Sequence, residues 1–308
     1  MSSLSTSLDP SAVWFITGCS SGFGKAIAQT VYNAGHHVVA TARNVDALSY
    51  LPDESKVLKL RLDVTSKDSI VKAIGTTVET FGRLDVVVNN AGYTVMGDTE
   101  VIPETEARLL HETLFWGPIF IMQEVVRVFR EVNPQNRGGA VVNISSMGGS
   151  ITVAGNSFYH AGKFALEGFT KSMAQEMKPE WNIRFMLVAP GGVRTNFAGT
   201  STSGMKMLPR HPAYDTPSHP LSQMLNYLNM PGIRDTWSDP EICARLLFDA
   251  VVGKYNNRPL PTRLLMGADA VQLVKQDLNK ALQEIEAWRN ESESCSPNGG
   301  ADLPGIDK

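Results

Sequence analysis

Runs of apolar residues long enough for a strand alternate with helix-length segments, and crossovers of that length leave consecutive strands only parallel pairing. Residues 12–17 are apolar on both faces, as in a strand buried between two layers. The run ends in a glycine-rich turn from Thr17 to Gly24, and a helix is expected over 22–34, stopping at Gly35. Strands are expected at 37–41, 57–62 and 84–88, with a helix over 66–80 before the last. A long helix over 104–132, closed by Asn133-Pro134, leads to a strand at 140–144, a helix over 157–177 and a strand at 183–188. The implied class is α/β, a doubly wound parallel sheet with helices on both faces and its ligand sites at the strand carboxyl ends.

The rhythm breaks over 196–237, which holds five prolines and four methionines. So long an irregular stretch inside one domain reads as a substrate lid, with a short helix over 221–228. Its apolar members, among them Met205, Met207, Leu208, Tyr214, Met224, Tyr227, Met230 and Trp237, suit a bulky apolar ligand or packing on the core, and the sequence leaves both open. Ser238 and Pro240 open a helix to Val252, a strand at 262–265 closes the sheet edge, and a last helix runs over 268–289. In that helix Val271, Val274, Leu278, Leu282 and Ile285 recur at spacings of three and four, so it is expected to pack by one stripe. The expected organisation is a flexible N-terminus over 1–11, one domain over 12–289 and a disordered tail over 290–308, where Ser, Glu, Gly and Pro dominate.

Twenty-eight basic and 31 acidic side chains leave a net charge of -3, too even to suggest nucleic acid or an anionic membrane as partner. With no run of eighteen apolar residues and no signal-peptide core, a membrane span is not expected. Cys19, Cys243 and Cys295 are scattered without metal-ligand spacing, which implies no disulfide framework and a cytoplasmic protein. His36, His37, His211 and His219 lack supporting ligands, read as surface or cap residues, and imply no metal site.

Gly18, Gly22 and Gly24 let backbone approach a pyrophosphate, which the first-turn N–H groups of the following helix attract. Ser20 and Ser21 add hydroxyls to this turn. After the second strand, Ala42-Arg43 offers no carboxylate for ribose hydroxyls and supplies a guanidinium suited to a 2'-phosphate, favouring NADP(H) over NAD(H). Arg43 as an ordinary solvated charge is the bland alternative. Tyr159 and Lys163 lie four apart in a helix and share a face, so the ammonium is expected to draw the phenol toward ionisation for proton exchange with a carbonyl or alcohol. Such a pair is common by chance, and its weight comes from its place in the chain.

The order Thr17–Gly24, Asp63-Val64, Asn89-Asn90-Ala91-Gly92, Ser146, Tyr159 with Lys163, and Pro190-Gly191 resembles the short-chain dehydrogenase/reductase family over about residues 12–195. The resemblance implies a Rossmann-type fold and NAD(P)(H)-dependent carbonyl or alcohol chemistry. By the same resemblance Ser146 holds the substrate oxygen, Tyr159 gives the proton, and Lys163 binds the nicotinamide ribose. Cofactor positions follow at Gly18, Ser20, Ser21, Gly22, Phe23, Gly24, Arg43, Asp63, Val64, Asn90, Ala91, Gly92, Tyr159, Lys163, Pro190, Gly191, Val193 and Thr195. Family members often dimerise or tetramerise through the helices matching 104–132 and 157–177. One position departs from the family: Glu112-Thr113 is followed by Leu114 where an asparagine is common, which bears on rate and helix geometry.

The expected activity is NADPH-dependent reduction of a ketone or aldehyde on a bulky apolar small molecule, or the reverse alcohol oxidation. A nucleotide-binding sensor, or a non-redox protein that shapes a substrate, is the alternative on the same fold.

Overall fold

The computed structural model describes residues 8–198, 204–255 and 258–296. In chain order the elements are β1 (Val13–Ile16), α1 (Gly22–Asn33), β2 (His37–Ala42), β3 (Val57–Arg61), α2 (Lys67–Phe81), β4 (Val86–Asn89), β5 (Thr94–Met96) and α3 (Glu104–His111). There follow α4 (Gly117–Glu131), β6 (Gly139–Ile144), α5 (Ser157–Gln175), β7 (Ile183–Pro190), β8 (Met205–Met207) and α6 (Pro220–Leu228). The last are α7 (Pro240–Val251), β9 (Arg263–Met266), α8 (Ala268–Ala287) and α9 (Arg289–Ser294).

Seven strands form one parallel sheet in the order β3-β2-β1-β4-β6-β7-β9. Alternate residues of a strand point to opposite faces, and both faces here are covered. Trp14, Ile16, Val86 and Val88 meet Ile27 and Val31 of α1 and Leu247 of α7. Val13, Phe15, Val87 and Val141 meet Ile70 and Ile74 of α2, Met122 and Val125 of α4, and Leu166 of α5. The order in which successive strands are added reverses between β1 and β4, and this switch point opens a crevice at their carboxyl ends.

Several expectations change on contact with the structure. The segment 104–132 is two helices joined by a π turn over Glu112–Trp116, with Leu114 inside the turn. Loop residues 94–96 and lid residues 205–207 pair as a separate parallel two-stranded sheet, β5 with β8. Asp239, rather than Ser238, caps α7, its carboxylate accepting from Glu241 N and Ile242 N at 2.8 and 3.2 Å. The stripe on α8 does not pack as expected: Val274 is buried, but Leu278, Leu282 and Ile285 are 53%, 63% and 64% exposed. The helix reaches past the body after Val274, so periodicity there describes a face without a core beneath it.

The two ends also differ from expectation. Residues 1–7 and 297–308 lie outside the described residues, but 8–11 pack down: Leu8 meets the core, and Asp9 stands 3.5 Å from Arg83 and 3.2 Å from Arg137. The helix α9 covers Arg289–Ser294, so residues 290–294 of the span expected to be disordered are helical. His36 is buried, not superficial, edge-on to Trp14 and Phe248, and burial lowers its pKa. His219 does cap α6, accepting from Leu221 N at 3.2 Å.

Below the sheet, buried Asn133 ties the end of α4 to both central strands. Its amide donates to Leu84 O and Gly138 O at 2.5 and 2.8 Å and accepts from Leu84 N at 3.1 Å. Asn133→Ala leaves these backbone groups without partners and is expected to destabilise the fold by about 3 kcal/mol. Urea unfolding measures it, and a loss below about 1 kcal/mol would show that the three bonds are replaceable.

Candidate active site

Each expected site residue lies at or just beyond the carboxyl edge of the sheet, or on a helix that leans on it. The glycine turn after β1 is packed against the end of β4. A Cβ on Gly24 would stand 2.3 Å from Gly18 O and 2.4 Å from Asn90 Nδ2, so no side chain fits there. Gly18 has φ +70°, and a Cβ on it would meet Ala91 Cα at 2.9 Å. A Cβ on Gly22 would meet Thr195 at 3.2 Å, which brings the segment after β7 to the same turn. Ser21 leads into α1 in an extended conformation without a side-chain cap, and the first turn of α1 carries no acid. Its N–H groups are therefore available to a phosphate, and the cradle fits a pyrophosphate laid across β1. Ser20 is exposed, while Phe23 packs onto the core beneath α1.

At the ends of β2 and β3, Arg43 is exposed and lies close enough to Asp63 to act on it. Burial raises the Asp63 pKa. Hydrogen bonds from Thr65 N at 3.0 Å and Thr65 Oγ1 at 2.7 Å, with the Arg43 and Arg61 charges, reverse that and hold it below its usual value. Val64 O abuts Gly117, where a Cβ would lie 2.7 Å away. Two residues that the sequence did not single out complete this end. Tyr50 donates to Cys19 O at 2.9 Å, and the Lys25 ammonium lies 4.7 Å from the centre of the Tyr50 ring.

After β7, Pro190 pairs with Met266, and Gly191 N donates to Met266 O at 2.8 Å. Asp269, from the first turn of α8, accepts from Gly192 N at 2.7 Å and fills the space beside Gly191. Val193 bridges to Ser238, and Thr195 N donates to Val193 O at 2.7 Å. Asp269 is thus a positioning group for this turn, and no local pattern marks it.

Tyr159 and Lys163 are both buried on α5, on the face turned to the end of β6. Burial pushes the Tyr159 phenol up to about 12, against which a hydrogen bond from Ser146 acts. This corrects the expected tuning: the opposing influence comes from Ser146, and desolvation outweighs it. Burial also brings Lys163 down to about 8, opposed by the charge of Glu167. The Lys163 ammonium donates to Ile144 O at 2.7 Å and lies 5.7 Å from the centre of the Tyr159 ring. Ser146 Oγ accepts from Gly148 N at 3.0 Å. His160 braces the same loop: Val153 N donates to Nε2 at 3.0 Å, so Nδ1 carries the proton and donates to Gly148 O at 2.9 Å.

Leu114 is buried between the β4 loop and α5. A Cβ on Gly92 would stand 3.0 Å from it, and one on Gly162 3.3 Å. Phe197, missed in the sequence, lies with its ring centre 6.0 Å from that of Tyr159 and gives the site an aromatic wall. Among lid residues, Leu208 packs beside the cluster of Val95, Leu110, Leu114 and Tyr159, whereas Met207, Tyr227 and Met230 are exposed.

A parallel sheet with a glycine turn that fits a phosphate at its switch point, and with Ser146, Tyr159 and Lys163 beside it, is the arrangement of a nucleotide-dependent oxidoreductase of the α/β class. Residues 12–206 match the model of the short chain dehydrogenases, and the chain belongs to that family, whose members use a nicotinamide cofactor. It is 39% identical over 284 residues to the oxidoreductase calM of Penicillium decumbens, a match covering 91% of each chain. A 3-ketodihydrosphingosine reductase of Bacteroides thetaiotaomicron is 38% identical over 184 residues, covering 59% of this chain and 64% of its own. The crystal structure of a short-chain dehydrogenase from Streptomyces avermitilis superposes with a TM-score of 0.79 at 33% identity, covering 93% of this chain and 100% of its own. Among the described residues no helix is long and apolar enough to cross a membrane.

The segment expected to form a lid is held to the body by a buried ion pair. Arg210 Nε donates to both oxygens of Asp98 at 2.9 and 3.1 Å, and its remaining nitrogens donate to Ser222 Oγ and Tyr214 O at 3.0 and 2.6 Å. His211 N adds a third bond to Asp98 at 2.9 Å. Burial raises the Asp98 pKa, but these bonds and the guanidinium charge bring it below its usual value. The stabilisation is therefore present above the ordinary carboxylate pKa and is lost as pH falls below about 4. Asp98→Ala strands the guanidinium and is expected to raise KM about tenfold while kcat changes little, because the chemistry lies on α5. Steady-state kinetics beside limited proteolysis of 208–221 checks this, and unchanged KM with unchanged cleavage would show that the clasp is idle.

Proposed function

We propose that the protein is an NADPH-dependent reductase of a ketone or aldehyde on a bulky apolar molecule, working in the cytoplasm. The observation that carries the reading is the placement of Ser146 beside the buried Tyr159, close enough to act on its phenol, next to the glycine cradle, with Lys163 one turn further along α5. A bound nicotinamide supplies the hydride. Ser146 holds the carbonyl oxygen, and Tyr159, protonated at neutral pH because it is buried, donates to that oxygen as negative charge develops on it. Lys163 holds the ribose and offsets the charge left on the phenol. Thr195, against Gly22, and Asn90, behind the glycine turn, hold the nucleotide across the sheet.

Preference for the phosphorylated nucleotide rests on Arg43, exposed at the end of β2 with no carboxylate at the position directly after the strand, and on Lys25 in the first turn of α1 as a further cation. An apolar substrate is supported by Phe197 beside Tyr159 and by the likeness to a 3-ketodihydrosphingosine reductase. Exposed Trp116 on the π turn and Phe164 on α5 support association of two copies across these helices.

Tyr159→Phe keeps the ring and removes the proton, so turnover with a panel of ketones and aldehydes is expected to fall at least about a thousandfold while NADPH binding is retained. Nucleotide binding without turnover by the wild-type protein would favour the sensor reading instead. In thermal unfolding NADPH is expected to stabilise more than NADH, and Arg43→Ala to remove the difference. Equal stabilisation of the wild type would sink the assignment of Arg43.

A further inference from the structure

Three consecutive residues at the end of β6 meet three positions on one face of α5. Ser146 stands close enough to Tyr159 to act on its phenol, Ile144 O accepts from Lys163 at 2.7 Å, and Ser145 Oγ donates to Glu167 Oε1 at 2.8 Å. Positions i, i+4 and i+8 of a helix lie along one stripe, so Glu167 shares the face of α5 that carries Tyr159 and Lys163. We propose that Glu167 is a positioning residue of this site: its carboxylate locks the Ser145-Ser146 turn onto α5 and supplies the counter-charge beneath Lys163.

Glu167 is only 2% exposed, and a carboxylate so placed costs free energy unless it is paired and hydrogen-bonded. Its second oxygen is bound by Arg263 of β9, and Lys171, one turn further on, lies 3.8 Å away. The surroundings are built around it. A Cβ on Gly149 would stand 2.6 Å from Glu167 Oε1 and 2.7 Å from Ser145 Oγ, so the loop after Ser146 can close only with glycine there. The carboxylate therefore joins the loop, the helix and the sheet edge at one point.

The other charged or titratable groups around Lys163 are committed elsewhere. His160 is turned to Gly148 and Val153, His111 of α3 to Phe158 O, and Asp269 of α8 to Gly192 N. Tyr159 and Glu167 share α5 with Lys163, and Arg263 reaches Glu167 from β9. Loss of the Glu167 charge makes Lys163 easier to deprotonate, whereas loss of Arg263 leaves more of that charge to act on Lys163 and makes it harder.

This inference rests on the reductase reading for its kinetic arm only. Glu167→Gln keeps shape and an acceptor for Ser145, and Arg263→Gln removes the opposing cation. The titration of Lys163, followed by NMR with labelled lysine and assigned with Lys163→Arg, is expected to move down by about one pH unit in Glu167→Gln and up in Arg263→Gln. The alkaline limb of carbonyl reduction should follow, so that Glu167→Gln is about tenfold slower than wild type above pH 8 and near wild type at pH 6. A merely structural ion pair would weaken the fold in both variants and move both titrations alike. Shifts of the same sign, or none, would overturn the proposal, and Arg263→Gln decides it if Glu167→Gln does not fold. A wild-type protein that turns over no carbonyl while Lys163 titrates as expected would defeat the reductase reading and leave the role of Glu167 standing.

Discussion

The site depends on a stitch between the ends of β1 and β4. The buried Thr17 hydroxyl accepts from Asn90 N and Ala91 N at 2.9 Å each, and the Asn90 amide returns a bond to Thr17 O at the same distance. These are backbone groups that have just left the sheet ladder, and in the interior they need partners. Because Asn90 also reaches Gly18 O, at 3.2 Å, the stitch holds the glycine turn and not merely the strand. The tight space around Gly24 follows from it. If Asn90 were withdrawn, the N–H groups of α1 would lose their aim, although α1 itself would keep its packing through Ile27 and Val31 against Leu247 of α7.

Much of this was legible in the sequence because it is local or periodic. Strands buried on both faces read as unbroken apolar runs, and β1, β4 and β6 appear where such runs stand. Gly18 and Gly24 announce a turn without side chains, though the atoms that exclude a Cβ belong to residues some seventy positions away as well as to the turn itself. What stayed hidden is decided by partners remote in the chain. Three residues at 94–96 carry no strand pattern, and they become β5 only because 205–207 lie alongside. Arg210 reads as one more surface charge until Asp98 is set against it.

Periodicity also misleads where burial is what counts. The apolar stripe of α8 has the spacing of a packed helix, yet beyond Val274 it faces outward, while Glu167 interrupts the apolar face of α5 and is buried. A charge in a helix suggests the solvated side, and the sign of that inference reverses when Ser145, Arg263 and Lys171 surround the carboxylate. His36 shows the same reversal, since Trp14 and Phe248 rather than its own neighbours decide its place.

Leu114 shows how an apolar residue can stand at a position where the family often has an amide. The π turn adds one residue to the helical path, so Leu114 turns inward while Gly117 comes against Val64 O. Gly117 N closes the widened turn on Glu112 O. On its inner side Leu114 fills space that Gly92 and Gly162 leave by having no side chains, and it joins the cluster that contains Tyr159. The bend between α3 and α4 is therefore written in the backbone and in three glycines. An amide side chain is not needed to make it, and the packing that Leu114 adds behind Tyr159 helps hold the phenol where Ser146 can reach it.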